Sequence, residues 1–588
     1  MSKVLEKKLG KMSPKEQELW ALRHTAEHVL HTALQNLYPK LKKAMGPATS
    51  EGFYHDFDLD EKVTELDLPK IEKEMQRLID LDLPLIQKFV DINEAKDIFK
   101  GNPYKLEWVD EIEKREEKFS IYKMSDIDLD LCSGPHVTST GKIRAFKLLS
   151  VAGAYWHGDE KNKMLTRIYG TCFPTQKELD EYLNQIKEAE KRNHKKLGRE
   201  LGLFMFHETA PGMAYWLPKG VKLYLELVDF WRKEHEKYNY QEIVSPLINK
   251  KELYEISGHW DHYKENMFIS ETEEKEVYAL KPMNCPNAMV VFGSETRSYR
   301  DLPLKLSDTD TLHRCEKSGT LNGLLRIREF RQDDAHIFIS EDQVEEQYRE
   351  LFEIVERFYS VFGLKYSYRL GTRPENYMGD KKLWDKAEKI LKNILEKSGK
   401  EFSVLEGDGA FYGPKIDILM KDSLSRDWQM GTLQLDFQIP RRFDLKYSAK
   451  DGTQKTPVVI HRVVYGSLER FIGIITEHFA GNFPTWLTPV QVKVLPITEK
   501  HLAYGTEVLK KLRTEGIRAE LDERNERLQA KIRDAQLEKV AYMLIVGDRE
   551  SETSSVSVRK RSGEDLGAKK LNEFASAIKK EIEDKSIT

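Results

Sequence analysis

The stretch from Thr311 to Phe338, TLHRCEKSGTLNGLLRIREFRQDDAHIF, gathers groups that handle phosphate and groups that hold a metal or a proton. Arg314, Arg326, Arg328 and Arg331 can meet phosphate oxygens bidentately, which lysines cannot, and Glu316 stands two residues after the first of them. Asp333, Asp334 and His336 add two carboxylates and an imidazole. A solvated charge run is the plain alternative. Here, however, Ser318, Gly319 and Gly323 interrupt the charges with turn chemistry, and Leu312, Leu324, Ile327, Phe330, Ile337 and Phe338 recur among them. The pattern predicts two half-buried strands joined by a loop, with the arginines lining a groove. A buried sheet does not carry so many charges unless something binds there.

Two further constellations offer thiol and imidazole. His24, His28 and His31 recur at spacings of four and three within a predicted helix from about residue 15 to 48, so they share a face. Far downstream, LDLCSGPHV places Cys132 and His136 four apart. HxxxH with CxxxH suggests one converging site, for which zinc is the first guess; a satisfied surface pair is the alternative. The second set is Cys285 (in KPMNCP), His336 and His461 (in VVIHRVVYGS), from three distant segments. Spacing says little about it, because sixteen histidines make many such triples.

The elements that must position these groups read as an α+β multidomain chain. Thr175 and Glu178 form a capping box opening a long charged helix toward Leu201, a linker between domains. A helix from Lys219 to Tyr238 carries Leu223, Leu225, Val228 and Trp231 among charges and precedes strand-like QEIVSP. Alternation in KIDIL and TLQLDF predicts antiparallel strands rather than a Rossmann sheet, and no P-loop occurs. From Pro489 strands and helices alternate as in a compact α/β domain. Boundaries are expected at 1–174, 175–201, 202–488 and 489–588. The net charge of -4 over 588 residues gives no global basic signal, so nucleic acid would need local patches such as residues 191–199 and 524–533. Four cysteines without framework spacing point to a reduced cytoplasm, and no apolar run approaches the roughly 18 residues of a membrane span.

Arg314-Cys315-Glu316 resembles the second signature motif of class II aminoacyl-tRNA synthetases, and GTLNGLLRIREFRQDDAHIF resembles threonyl-tRNA synthetases specifically. The likeness runs from about His24 to Gly567. It implies a class II catalytic core of antiparallel sheet flanked by helices, an N-terminal α+β editing domain, and a C-terminal α/β anticodon-binding domain. The activity it implies is ligation of L-threonine to tRNA(Thr) with ATP and Mg²⁺, with hydrolysis of mischarged seryl-tRNA(Thr). Cys285, His336 and His461 match the family's ligands for one zinc per subunit. Arg314, Glu316, Arg326, Phe330, Lys415, Gln429, Thr432 and Arg470 match ATP positions, with Arg314 on the α-phosphate and Arg470, four after Gly466, in the third class II motif. Gln332, Asp334 and Tyr412 fall around threonine, and His259 in GHWDHYKENMF falls near the terminal ribose of the tRNA. His24, His28, Lys105, Asp130, Cys132 and His136 match the editing pocket, which in the family works without a catalytic metal. Asn525, Arg527, Arg533, Glu550 and Arg559 match anticodon-reading positions, whose charged and amide tips suit exposed base edges.

Three departures stand out. The family usually has GFYYD where this chain has Gly52-Phe53-Tyr54-His55-Asp56, and Asn287-Ala288 follows Cys285 where relatives commonly have Gly-His. Only residues 1–23 precede His24, so a chain of bacterial type without the small ubiquitin-like domain is expected. The segment ending at Pro246 resembles the first class II motif and implies a homodimer. Another class IIa enzyme, prolyl or seryl, and a catalytically silent RNA-binding relative are the rival readings.

Overall fold

A computed structural model describes residues 6, 9, 10, 12–424 and 426–587, which divide into two compact units, residues 1–187 and 188–588. In the first unit a helix, Pro14–Leu37, is started by Ser13 and Glu16, which satisfy each other's backbone N–H groups, with Pro14 in the first turn. Leu22, Ala26, Val29, Leu30, Ala33 and Leu34 recur at helical spacing and pack on Phe53, Phe57, Ile71, Met75 and Leu78. The helix is shorter than the expected 15–48, because the chain turns at Tyr38 and Lys42–Met45 becomes a strand. That strand edges a four-stranded antiparallel sheet in the order Lys42–Met45, Phe53–Asp58, Met164–Phe173, Ala145–Tyr155. A smaller sheet pairs Leu85–Phe89, Ser120–Met124 and Asp128–Leu131.

Thr175 caps the charged helix, its Oγ1 accepting from Glu178 N and donating to the Glu178 carboxylate, but that helix is two helices, Gln176–Arg192 and His194–Glu200. Asn193 breaks it: its side chain accepts from the N–H groups of Lys195 and Lys196, giving the second helix its own start. Within the second unit eight strands form the central sheet: β1 Gln241–Glu242, β2 Leu304–Asp308, β3 Asp334–Ile339, β4 Lys365–Gly371, β5 Phe402–Leu405, β6 Lys415–Lys421, β7 Asp427–Asp436 and β8 Val458–Val463. Their spatial order is β1-β2-β3-β8-β7-β6-β4-β5, antiparallel except for the parallel pairs at the two edges. The helix Pro218–Lys237 buries Leu223, Leu227, Val228 and Trp231, whereas Leu225 faces outward. QEIVSP contributes only the two residues of β1.

The remaining chain forms a five-stranded sheet in the order Ala519–Leu521, Val492–Pro496, Tyr542–Val546, Ser555–Lys560, Asp565–Lys570. The first three strands are parallel and the last two antiparallel. Helices Leu502–Thr514 and Leu571–Glu583 supply Val508, Leu512, Phe574 and Ile578 to its core.

Candidate functional site

Cross-strand register brings the second thiol–imidazole set together. His336 on β3 lies directly opposite His461 on β8, with ring centroids 5.0 Å apart, and Gln434 on β7 lies opposite His461 on the other side. Cys285 arrives from the N-terminus of the helix Cys285–Gly293, and one ligand atom from each of the three residues lies within 4.8 Å of the others. Asp436 accepts from His461 Nε2 at 2.9 Å, which leaves Nδ1 to coordinate. His336 Nδ1 is buried without a hydrogen-bond partner. Burial pushes the Cys285 thiol up, reinforced by Asp334 and Asp436, and burial with His461 and Arg462 holds His336 neutral. Burial also lifts Asp334 to about 6 and raises its neighbour Asp308. An orphaned imidazole nitrogen, a soft sulfur and surrounding carboxylates suit a zinc ion with an open position.

Arg314, Gln332, Asp334, Tyr412 and Thr432 share with this cluster a cavity of about 300 Å³. Asp334 accepts from Asn284 at 3.1 Å, and the Tyr412 hydroxyl donates to Gln434. His259 is buried beside the cluster: its Nε2 is 3.0 Å from Met283 Sδ and 3.6 Å from Cys285 Sγ, and its Nδ1 is 2.8 Å from Ser257 Oγ. Burial first, then His461 and Arg314, push its imidazole down to about 3.

The arginine-rich stretch forms strands Thr311–His313 and Glu329–Arg331, which pair antiparallel, with β3 following directly. Arg314 lies over the Phe330 ring at 4.9 Å and donates to Pro282 O. Arg326 bonds Glu316 at 2.9 Å. Arg470, in the first turn of the helix Leu468–His478, has its Nε buried and unpartnered; burial and then the charge of Arg326 lower its pKa. Two guanidiniums that repel each other across a cleft favour an anion between them. Arg328 and Arg331 are committed elsewhere, to the carbonyls of Glu316 and Pro211 and to Thr311 Oγ1. Lys415 pairs with Asp408 and Asp417, and Asp417 also accepts from Gln429 and Thr432.

In the first unit, His24, His28, Cys132 and His136 converge, with one ligand atom from each within 4.8 Å of the others. His24 and His28 are one helical turn apart, and Gly134, at φ +73, turns the chain so that His136 comes back beside Cys132. Cys132 Sγ is 3.4 Å from His24 Nε2 and 3.2 Å from His136 Nε2. The outer nitrogens meet Pro135 O and Thr25 Oγ1. Burial above all depresses His24, His28 and His136 and raises the Cys132 thiol, so the quartet is three neutral imidazoles and a thiol.

His31 touches the His28 ring, with centroids 4.7 Å apart, but its hydrogen bonds belong to a charged network beside the quartet. Its Nε2 meets Asp128 at 2.6 Å, and Lys43 Nζ meets the same carboxylate at 2.7 Å. Glu27 accepts from His55 Nδ1 at 2.6 Å and lies 3.4 Å from His31 Nδ1. Lys105 holds Asp130 at 2.8 Å. Against burial and Lys43, the carboxylates Asp128 and Glu27 lift His31 to about 9. With His31 charged, three cations and three carboxylates balance, and the fully buried His55 occupies the departing position as the partner of Glu27.

Of the five anticodon positions, Asn525, Arg527 and Arg533 are exposed. Glu550 accepts from Gly547 N at 3.0 Å, and Arg559 pairs with Asp565 at 3.3 Å. Sequence reasoning missed Asp436, Asp308, Glu27, Asp128 and Lys43. Asp436 lies in the alternating TLQLDF run, whose period of two puts it on the same face as Gln434 and could have pointed to it. Nothing local marks the others.

Residues 268–479 match the tRNA synthetase class II core domain model (G, H, P, S and T). Residues 491–581 match the anticodon binding domain, and 119–169 the threonyl and alanyl tRNA synthetase second additional domain. Threonine–tRNA ligase from Acetivibrio thermocellus is 52% identical over 567 residues, covering 96% of this chain and 89% of that one. The solved RNA binding domain of threonyl-tRNA synthetase from Cryptosporidium parvum is 40% identical, with a TM-score of 0.65, over 67% of this chain and 99% of that one. Prolyl-tRNA synthetase from the same organism shares the fold alone, at 18% identity and a TM-score of 0.51, over 66% of this chain and 75% of that one. With a relative half identical over nearly its whole length and three domain models in this order, the chain belongs to the threonine–tRNA ligase family of class II aminoacyl-tRNA synthetases.

Proposed function

We propose that this chain activates L-threonine with ATP, transfers it to tRNA(Thr), and hydrolyses seryl-tRNA(Thr) in its first unit. One observation carries the reading: a thiol and two imidazoles converge on an antiparallel sheet and share a cavity with Arg314, Gln332 and Asp334. We assign residues 1–174 to editing, 175–201 to the linker, 202–488 to catalysis and 489–588 to anticodon binding.

Arg314 takes the α-phosphate of a bent ATP, Arg326 the γ-phosphate and Arg470 the far side, with Lys415, Gln429 and Thr432 around the nucleotide and Mg²⁺ sharing its charge. Phe330 stacks on adenine and Glu316 receives the adenine amino group, which requires the Arg326–Glu316 pair to open. Alignment and charge neutralisation suffice for this transfer. Cys285, His336 and His461 hold one zinc, which when bound supplies a Lewis acid for the amine and hydroxyl of threonine. Gln332, Asp334 and Tyr412 orient the amino acid. His259, which burial keeps neutral, lies where the terminal ribose of the tRNA arrives.

A site that demands a hydroxyl rejects valine by about 10⁴–10⁵, but serine keeps the hydroxyl and loses only a methyl, worth roughly 10–200-fold. A second, hydrolytic pocket answers that gap, and His24, His28, Cys132 and His136 with Lys105 and Asp130 form it. Asn525, Arg527, Arg533, Glu550 and Arg559 read the anticodon. A homodimer follows from the class II first motif ending at Pro246, where Val244 is 86% exposed; light scattering should give twice the chain mass at micromolar concentration, and a monomer mass contradicts it. Among the described residues no helix is long and apolar enough to cross a membrane. Pyrophosphate exchange across the twenty amino acids tests the whole reading: threonine should drive it, and exchange with proline or with none of them would defeat it.

A further inference from the structure

We infer that His194 is a positioning residue for the nucleotide loop, holding the turn from which Arg326 reaches phosphate; the inference rests on the reading of Arg326 given above. His194 sits in KRNHKKLGR, a run that reads as a solvated basic patch. Its lysines are exposed, yet His194 is only 1% exposed. The fold has turned this one residue inward.

Its two nitrogens do different jobs. Nδ1 donates to Glu477 Oε1 at 2.7 Å, and the His194 backbone N–H reaches the same oxygen at 3.1 Å. Glu477, on the helix that carries Arg470, is held in turn by Arg426. With Nδ1 protonated and engaged, Nε2 is left as an acceptor, and Leu324 N–H donates to it at 3.1 Å. Leu324 is fully buried and lies two residues before Arg326. The intervening contact is tight: Gly323 has φ +52, and a Cβ there would stand 2.2 Å from His194 Nε2. Lys195 adds a bond to Asn322 Oδ1 at 3.1 Å. The loop thus gives its buried Leu324 N–H to an acceptor that belongs to neither signature motif, and through Glu477 that acceptor is tied to the Arg470 helix. Removing it leaves a buried backbone donor unpaired, which the turn can relieve only by moving.

The test is ATP–pyrophosphate exchange with threonine. His194→Phe keeps an aromatic ring but deletes both the acceptor for Leu324 and the donor to Glu477; His194→Gln keeps an acceptor and a donor. We expect His194→Phe to raise the KM for ATP about tenfold, the scale of one orphaned buried donor, while the KM for threonine, zinc content and seryl-tRNA deacylation stay within twofold. His194→Gln should recover most of the ATP affinity. In an Arg326→Ala background His194→Phe should add nothing further. Additive losses there, or parallel rises in both KM values, would overturn the inference while leaving the activity intact. Absence of threonine-dependent exchange in the wild type would overturn the assigned function and this inference together. If His194→Phe does not fold, Gly323→Ala, which drives a methyl against the same nitrogen, carries the same expectation.

Discussion

Among the described residues, the buried cluster Cys285, His336 and His461 and the half-buried cluster His24, His28, Cys132 and His136 look alike in composition and differ in the charge around them. At Cys285, His336 and His461, the carboxylates of Asp308, Asp334 and Asp436 crowd the ligands, and burial raises Asp308 and Asp334 toward the protonated form, against Lys281 at the first and Asn284, His461 and Arg462 at the second. At His24, His28, Cys132 and His136, the nearby carboxylates Asp128, Asp130 and Glu27 are already matched by Lys43, Lys105 and charged His31. Ligand geometry alone does not separate a metal centre from a hydrolytic pocket. We place the metal in the first on the charge nearby: a dication would suit its crowded carboxylates, whereas in the second it would add positive charge to acids already matched by cations.

The largest expected effect breaks the first cluster. Cys285→Ala should abolish threonine-dependent pyrophosphate exchange while circular dichroism and seryl-tRNA deacylation persist; retained exchange would show that the thiol is dispensable. His28→Ala with Cys132→Ala should do the reverse. Threonylation stays, hydrolysis of preformed seryl-tRNA is lost, and a chelator leaves wild-type deacylation unchanged. Loss of deacylation on chelation would instead give the quartet a metal. A smaller effect separates recognition from chemistry: Arg559→Ala should raise the KM for tRNA without slowing pyrophosphate exchange, and an equal fall in both reactions counts against the anticodon assignment.

The smallest effect concerns pH. Burial lifts Glu469 to about 7, against the backbone N–H of Arg331 and the Ser467 hydroxyl that favour its charged form. Its folded pKa lies above the unfolded value near 4.5, so its contribution to stability is full below about pH 4.5 and is lost as pH rises through 7. Glu469→Gln should therefore flatten the decline in Tm between those limits. An unchanged slope would mean that other groups set it.

Much of this was legible in residue order. Alternating apolar residues around Arg314 and Arg331 foretold strands, and the structure has them. Alternation in KIDIL and TLQLDF foretold an antiparallel sheet, which β6 and β7 form. HxxxH and CxxxH pointed to one convergence. What stayed hidden depends on contacts between distant segments. Lys43 and Asp128 neutralise a network from strands in different sheets, and neither carries a local motif. Asn193 splits a helix that periodicity reads as continuous, since charged residues continue on both sides of it. His31 shares a helical face with His24 and His28 and touches the His28 ring, but it gives its Nε2 hydrogen bond to Asp128, a partner 97 residues away in sequence.

Elemental analysis of three proteins tests the contrast between the clusters most directly. The wild type and His28→Ala/Cys132→Ala should each carry one zinc per chain, and Cys285→Ala none. Two zinc ions in the wild type, or loss of zinc from the His28→Ala/Cys132→Ala protein, would contradict the account.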